Sequence, residues 1–180
     1  MKNLPHLLAL SFLVLACQPE PKENPAKAVF DKNCQTVADY LDAFCKEDLD
    51  HRAFFAEEYW SIPTYYGNQD TLFLEDIISG DQEMFKIFDF EVVDELNLLP
   101  GVNAETKEMD GSVRHYNRLK LIIPGTDSSE AVEMVFPFYE SYDFDENGKI
   151  LFYQAYGDWG GVDKYIESLV EEAMEEEGQE

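Results

Sequence analysis

Residues 131–159 read AVEMVFPFYESYDFDENGKILFYQAYGDW, a segment that predicts two long β-strands joined by a tight turn at Asn147 and Gly148. Asparagine and glycine readily take the positive φ angles of a two-residue hairpin turn. If Glu146 faces Lys149, the predicted pairs are Phe144–Leu151, Tyr142–Tyr153, Glu140–Ala155, Phe138–Gly157 and Phe136–Trp159. Because side chains alternate between the two faces of a strand, one face is almost wholly aromatic or aliphatic. Glu140 is the single carboxylate in the middle of that face.

The N-terminus has the pattern of a secretion signal. Lys2 precedes an apolar segment, Leu4 to Leu15, that is too short to span a bilayer. Small residues typical of a cleavage site follow, and a cysteine directly after them resembles the bacterial lipoprotein signal. We therefore expect residues 1–16 to be removed and Cys17 to carry a lipid that anchors the protein to a membrane of the bacterial cell envelope. An ordinary secretory signal with an incidental cysteine is the alternative.

The remaining chain has the size of one domain. Residues 17–30 are rich in proline and charge and predict a flexible tether. Residues 31–161 form the predicted domain, and residues 162–180 an acidic amphipathic helix. That helix either packs on its own domain or binds a partner.

Composition excludes one class of function. The formal net charge is −25, from 38 acidic and 13 basic residues, and the sequence contains no basic patch. Such a surface repels nucleic acid and anionic lipid, so nucleic-acid binding is excluded and membrane association requires the lipid anchor. Cys34 and Cys45 would lie about 16 Å apart on one helix, which is too far for a disulfide. We expect neither a metal nor a cofactor, because no cysteine or histidine spacing indicates a metal site.

Hydrophobic periodicity predicts an α+β domain, with helices first and strands after them. The predicted helices run from Asp31 or Asn33 to about Glu47, from His51 to about Glu58, and from the capping-box pattern at 79–82 through Phe88. Tyr59 to Tyr66 is at most a short edge strand, because Pro63 interrupts it. A four-stranded meander follows, with strands at Phe90 to Leu99 and Val113 to Ile123 before the hairpin of residues 131–159.

The predicted order of elements resembles the nuclear transport factor 2-like superfamily, which includes SnoaL-like polyketide cyclases and ketosteroid isomerases. The resemblance rests on a helix, the turn Asp48-Leu49-Asp50, a short aromatic helix and the closing DFDENGKILFYQAYGDW. It spans roughly Lys32 to Gly160. It implies a cone-shaped curved sheet, mixed or antiparallel, wrapped around three helices with a pocket between them. An additional helix follows at the C-terminus.

The resemblance also implies roles for particular residues. Glu140 stands where ketosteroid isomerases have an oxyanion-stabilising acid, and Tyr40 stands where they have its tyrosine partner. The position of the general base is occupied by Ile62-Pro63-Thr64 rather than by an aspartate. A similar pocket is therefore implied, but the same reaction would lack its base.

Alternation along residues 113–123 adds polar residues to the predicted pocket. The odd positions Leu119, Leu121 and Ile123 are apolar, whereas Arg114, Arg118 and Lys120 point away. His115 and Asn117 share the inner face and are expected near Glu140. The predicted ligand pocket consists of Tyr40, His115, Asn117, Phe138, Glu140, Tyr142, Tyr153 and Trp159. Glu140 either contacts a ligand or pairs with its neighbours to fix the packing.

Three functional hypotheses follow from the sequence. The first is a lipid-anchored domain that binds a small, partly apolar molecule in the pocket. The second is an enzyme of the cyclase, isomerase or dehydratase kind, with Glu140 as acid and His115 as base. The third is a non-catalytic adaptor or a homodimer formed through the sheet face, as the resemblance implies.

Overall fold

The computed structural model describes residues 25–67, 70–126 and 129–177, so the predicted signal, Cys17 and residues 17–24 lie outside the described residues. This part of the chain has an α+β fold, as predicted. Its elements are α1 (Pro25–Cys45), α2 (His51–Phe54), β1 (Phe55–Ser61), β2 (Leu72–Phe73), α3 (Leu74–Met84), β3 (Asp89–Val92), β4 (Leu98–Val102), β5 (Met109–Ile123), β6 (Val132–Phe144), β7 (Ile150–Gly157) and α4 (Trp159–Glu177).

The strands form one mixed sheet that contains the predicted four-stranded meander and extends it. Its order is β2-β1-β7-β6-β5-β3, and β4 pairs with another part of β5. Strand β1 runs parallel to β7, whereas the other neighbours are antiparallel. The predicted antiparallel succession is present as β3-β5-β6-β7, but the prediction omitted β1, which pairs in parallel with the last strand.

The central hairpin has the predicted register except near its turn. Tyr142 pairs with Tyr153, Glu140 with Ala155 and Phe138 with Gly157, as predicted. Phe144 pairs with Ile150 instead of Leu151, and the predicted pair Phe136–Trp159 does not form, since Trp159 begins α4. The Trp159 ring nevertheless packs against that of Phe136 at a centroid distance of 5.3 Å.

The turn itself explains the one-residue shift. Gly148 has a φ of 83°, but the φ of Asn147 is not positive, although a two-residue turn of this type requires a positive φ at both residues. The N–H of Gly148 donates to the carbonyl of Asp145, and the Asp145 carboxylate accepts from the N–H groups of Asn147 and Lys149. The loop is therefore longer and ends in a bulge, which buries Ile150 completely.

The strand predicted from Phe90 to Leu99 is two strands. Phe90 in β3 pairs with Leu121, and Leu98 in β4 pairs with His115, so the two segments cover different parts of β5. Pro100 lies inside β4 instead of ending the strand, because an edge strand tolerates a missing N–H.

All three predicted N-terminal helices exist, but their boundaries differ. Helix α1 begins at Pro25, so residues 25–30 of the predicted tether are helical; proline suits a first helical position. Both of its cysteines, Cys34 and Cys45, are free. Helix α2 ends at Phe54, where β1 takes over. No described helix is long and apolar enough to cross a membrane.

Helix α3 begins at Leu74, not at the predicted capping box of residues 79–82. The carboxylate of Asp76 accepts from the N–H of Phe73 at 2.8 Å and caps the first turn. Residues 79–82 therefore lie in the helix interior, and Asp81 is buried there.

Helices α1 and α3 and the start of α4 pack against one face of the sheet. One core cluster joins Val37 and Tyr40 of α1 to Val113 and Tyr142 of the sheet. The other gathers around Phe136 and Phe138 and includes Val162 and Ile166 of α4. The first turns of α4 therefore pack on their own domain, although Tyr165, Val170 and Met174 remain exposed.

Candidate ligand-binding cavity

A cavity of about 340 Å³ lies between α1, α3 and the inner face of the sheet. This volume is within the usual range for small-molecule sites. Most of its wall is apolar, and its aromatic side chains are Tyr40, Phe44, Tyr65, Phe90, Phe138, Tyr153 and Trp159.

Most of the predicted pocket residues line this cavity. Those that do are Tyr40, Asn117, Phe138, Glu140, Tyr153 and Trp159. His115 and Tyr142 do not; both are fully buried behind Glu140. The structure therefore brings His115 to Glu140 but does not place it in the open space that a catalytic base requires.

Glu140 is held by four donors in the centre of the inner face. Oε2 accepts from Nδ1 of His115 at 2.7 Å and lies 3.4 Å from Nδ2 of Asn117. Oε1 accepts from the hydroxyl groups of Tyr142 at 2.7 Å and Tyr153 at 3.1 Å. Glu140 is 2 % exposed, so these bonds replace the water that its carboxylate loses on folding.

The tyrosines around Glu140 remain protonated donors. Burial, and after it the negative charge of Glu140, raises the pKa of Tyr142 and Tyr153 well above the usual value of 10. Tyr40, the predicted partner, instead lies against their rings at centroid distances of 6.1 and 6.5 Å. Its role as hydrogen-bond partner is thus taken by two tyrosines of the same hairpin as Glu140.

A second histidine–carboxylate pair borders the cavity, and the sequence analysis missed it. Nε2 of His51 in α2 lies 2.7 Å from Oδ2 of Asp81 in α3. Both residues are buried, and Asp81 lines the cavity. Burial raises the pKa of Asp81, while the hydrogen bond from His51 opposes this rise. A signal was present, because Asp81 follows Leu74 by seven residues and Ile77 by four, which places it on the inner face of a helix.

Comparison with known proteins identifies the fold. The chain is similar to a polyketide cyclase candidate from Silicibacter sp. TM1040, at 18% identity and a TM-score of 0.57, with 75% of this chain and 95% of that one covered. It is also similar to an LEH-like epoxide hydrolase of M. tuberculosis, at 17% identity and a TM-score of 0.54, covering 74% and 84%. A polyketide cyclase candidate from Xanthomonas campestris pv. campestris is 19% identical, with a TM-score of 0.54. The similarity covers 71% of this chain and 91% of that one.

The chain has the nuclear transport factor 2-like fold. This confirms the fold predicted from the sequence. No protein-family profile matches the chain, and no curated protein sequence matches it.

Within this nuclear transport factor 2-like fold, the Ile62-Pro63-Thr64 segment lies on the cavity wall. The hydroxyl of Thr64 donates to the carbonyl of Ala155, and that of Ser61 donates to the carbonyl of Tyr153. The segment thus supplies no acid or base. The carboxylates that do line the cavity are Asp76, Asp81 and Glu140. Among the described residues, no group of three or more histidines, cysteines or acids could hold a metal ion.

Proposed function

We propose that this protein binds a small, partly apolar molecule in the cavity of its nuclear transport factor 2-like domain. The observation that supports the proposal is a cavity of about 340 Å³ with apolar walls and a few fixed polar groups. Small-molecule sites commonly combine such walls with a small number of oriented polar side chains.

The network around Glu140 supports the same proposal. Four donors hold the carboxylate in one position, so it needs no rearrangement when a ligand arrives. Rigid polar groups reduce the entropy that binding costs. Glu140 would then orient the neighbouring Tyr153 and Asn117, which line the cavity, while His115 and Tyr142 support it from behind.

A cavity-filling variant tests this proposal. Ala155 lines the cavity, whereas Val135 is half exposed on the opposite face of the sheet. We expect Ala155→Phe to abolish binding of a neutral probe, phenylbutanol, and Val135→Phe to retain it. Calorimetric titration measures the binding, and thermal unfolding checks that both variants fold. Equal binding by the two variants would refute the cavity as the site.

We further propose that the domain is held at the bacterial cell envelope by a lipid on Cys17. The lipoprotein-like sequence pattern of residues 1–17 supports this proposal. A chain of net charge −25 is repelled by anionic lipid, so it needs such an anchor to stay at a membrane. We expect Cys17→Ser to move the protein from the membrane fraction to the soluble envelope fraction. Persistent membrane association of that variant would contradict the proposed anchor.

A specific observation also favours a homodimer formed through the outer face of the sheet. The Tyr139 ring stacks beside those of Tyr116 and Tyr156, at centroid distances of 4.6 and 5.8 Å, and the latter two are about half exposed. Arg114 and Arg118 lie on the same face and neutralise Asp143 and Asp94, which reduces the repulsion between two acidic copies at this face. Light scattering tests this: Tyr139→Glu should convert a dimer to a monomer, and a monomeric wild type at micromolar concentration would contradict it.

A further inference from the structure

We propose that the cavity selects a molecule with a protonated amine beside an apolar body, and that the free carboxylate oxygen of Asp81 binds the amine. This inference rests on the proposed function, because it names the ligand class of the same cavity.

The charges of the cavity wall favour a cation. Among the described residues, its lining contains no lysine, arginine or histidine, but it contains the carboxylates of Asp76, Asp81 and Glu140. The whole chain adds a net charge of −25. A negatively charged ligand would therefore lose its hydration without gaining a partner of opposite charge.

Three of the hydroxyl donors of the wall are already engaged. Ser61 donates to the carbonyl of Tyr153, Thr64 donates to that of Ala155, and Tyr153 donates to Glu140. Burial raises the pKa of the Cys45 thiol, which keeps this group neutral. These three hydroxyl groups are thus not free to donate to a ligand, whereas a ligand that supplies its own donors does not need them.

Asp81 offers an acceptor to such a ligand, and Glu140 does not. Each oxygen of Glu140 already has two donors. Asp81 is 7 % exposed, and its Oδ2 pairs with His51. Within the described chain, its Oδ1 accepts no hydrogen bond. A carboxylate oxygen that has no donor can accept a hydrogen bond from a ligand, and an ammonium group would be a charged donor.

Two further features of the wall fit an amine. Asn117 is buried on the inner face of β5, and its Oδ1 has no partner among the described residues. Because Asn117 lines the cavity, this carbonyl oxygen is an unused acceptor at the cavity wall. Aromatic rings such as those of Tyr40, Phe138 and Trp159 also line the cavity, and their faces attract organic cations. The rings would enclose the apolar body at the same time.

Three probes of nearly equal shape test the inference: phenylbutylamine, phenylbutanol and phenylbutyrate, which differ in charge at one end. Calorimetric titration of the wild type at neutral pH should show the amine binding at least about tenfold more tightly than the alcohol, and the acid most weakly. If the alcohol binds as tightly as the amine, the inference is overturned and the cavity proposal stands. If none of the three binds, both are overturned.

Variants locate the amine. Asp81→Asn should lower the affinity for phenylbutylamine about tenfold and change the affinity for phenylbutanol by no more than about twofold. Glu83→Gln is the matched control, because it removes one negative charge from the same helix at an exposed position, and it should change neither affinity. Equal loss in the two variants would overturn the assignment.

A measurement on the wild type keeps the assignment testable if Asp81→Asn does not fold. Nuclear Overhauser contacts from the methylene next to the amine should reach Ile77 and Gly80, which line the cavity on α3. Contacts to Phe138 instead would place the amine on the β6 side, beside Glu140, and would overturn the role of Asp81.

Discussion

Two histidine–carboxylate pairs border one cavity, and they differ in how completely the carboxylate is bonded. In each pair, a histidine nitrogen lies 2.7 Å from a carboxylate oxygen, and all four residues are buried. Glu140 has four donors, whereas Asp81 has one. The number of donors distinguishes a carboxylate that holds the fold from one that can still bind a ligand.

The surroundings of the two pairs explain this difference. Glu140 lies in the middle of three long strands, where cross-strand neighbours on the same face supply donors from both sides. Asp81 lies on a helix, and its partner comes from a helix of only four residues. This short helix brings only His51 to Asp81, and among the described residues the other carboxylate oxygen of Asp81 accepts no hydrogen bond.

The largest expected effect concerns the tyrosines beside the two carboxylates. Burial raises the pKa of Tyr40, Tyr142 and Tyr153 well above 10, so the folded protein keeps protons that the unfolded chain loses. Their contribution to stability is therefore intact below pH about 10 and lost as pH rises above it. Each tyrosine should lower the unfolding free energy by about 1.4 kcal/mol per pH unit there, or about 4 kcal/mol for the three.

Denaturant titrations at several alkaline pH values measure this loss. Tyr142→Phe removes one donor to Glu140. It should reduce the slope of unfolding free energy against pH by about 1.4 kcal/mol per pH unit, the contribution of one tyrosine. An unchanged slope in that variant would show that Tyr142 ionises in the folded state.

Removing Glu140 should have the next largest effect. Glu140→Ala leaves the buried hydroxyl of Tyr142 and the ring of His115 without their acceptor, at a cost of about 3–5 kcal/mol of unfolding free energy. Chemical denaturation near neutral pH measures it. The distinction between the two pairs fails if this variant is no less stable than the corresponding alanine variant at Asp81.

Asp81→Ala should cost less, about 1–3 kcal/mol, because only His51 loses a partner. Phenylbutylamine at one fixed concentration should raise the melting temperature of this variant less than that of the wild type, because the variant binds the amine more weakly. Equal thermal shifts of the two proteins would show that the amine does not bind at Asp81.

The smallest effect is expected far from both pairs, at the hairpin turn. Gly148→Val places a β-branched residue at a φ of 83°, which should lower the unfolding free energy by about 1–2 kcal/mol. The added Cβ would lie 2.9 Å from Nζ of the flexible Lys32 and 3.4 Å from Oδ1 of Asn33, so backbone strain dominates. Probe binding should be unchanged, and a variant as stable as the wild type would show that the bulged turn tolerates side chains.

Much of the candidate site could be predicted from local pattern. Alternation alone placed Glu140, Asn117 and His115 on one face, since successive side chains of a strand point to opposite sides. The cross-strand pair His115–Glu140 then followed from antiparallel pairing. The one-residue error beside Gly148 arose because two turn types fit an Asn-Gly sequence, and the Asp145 carboxylate selects the longer one.

The sequence by itself therefore determined the α+β class, the three long strands and the carboxylate at their centre, because these depend on periodicities that act over a few residues. Only the tertiary structure decided which residues that lie far apart in the sequence contact each other. It placed β1 parallel to β7, put Tyr142 and Tyr153 rather than Tyr40 on Glu140, and joined His51 to Asp81 across 30 residues. Such contacts depend on how helices pack on the sheet, and no local pattern of side chains encodes that packing.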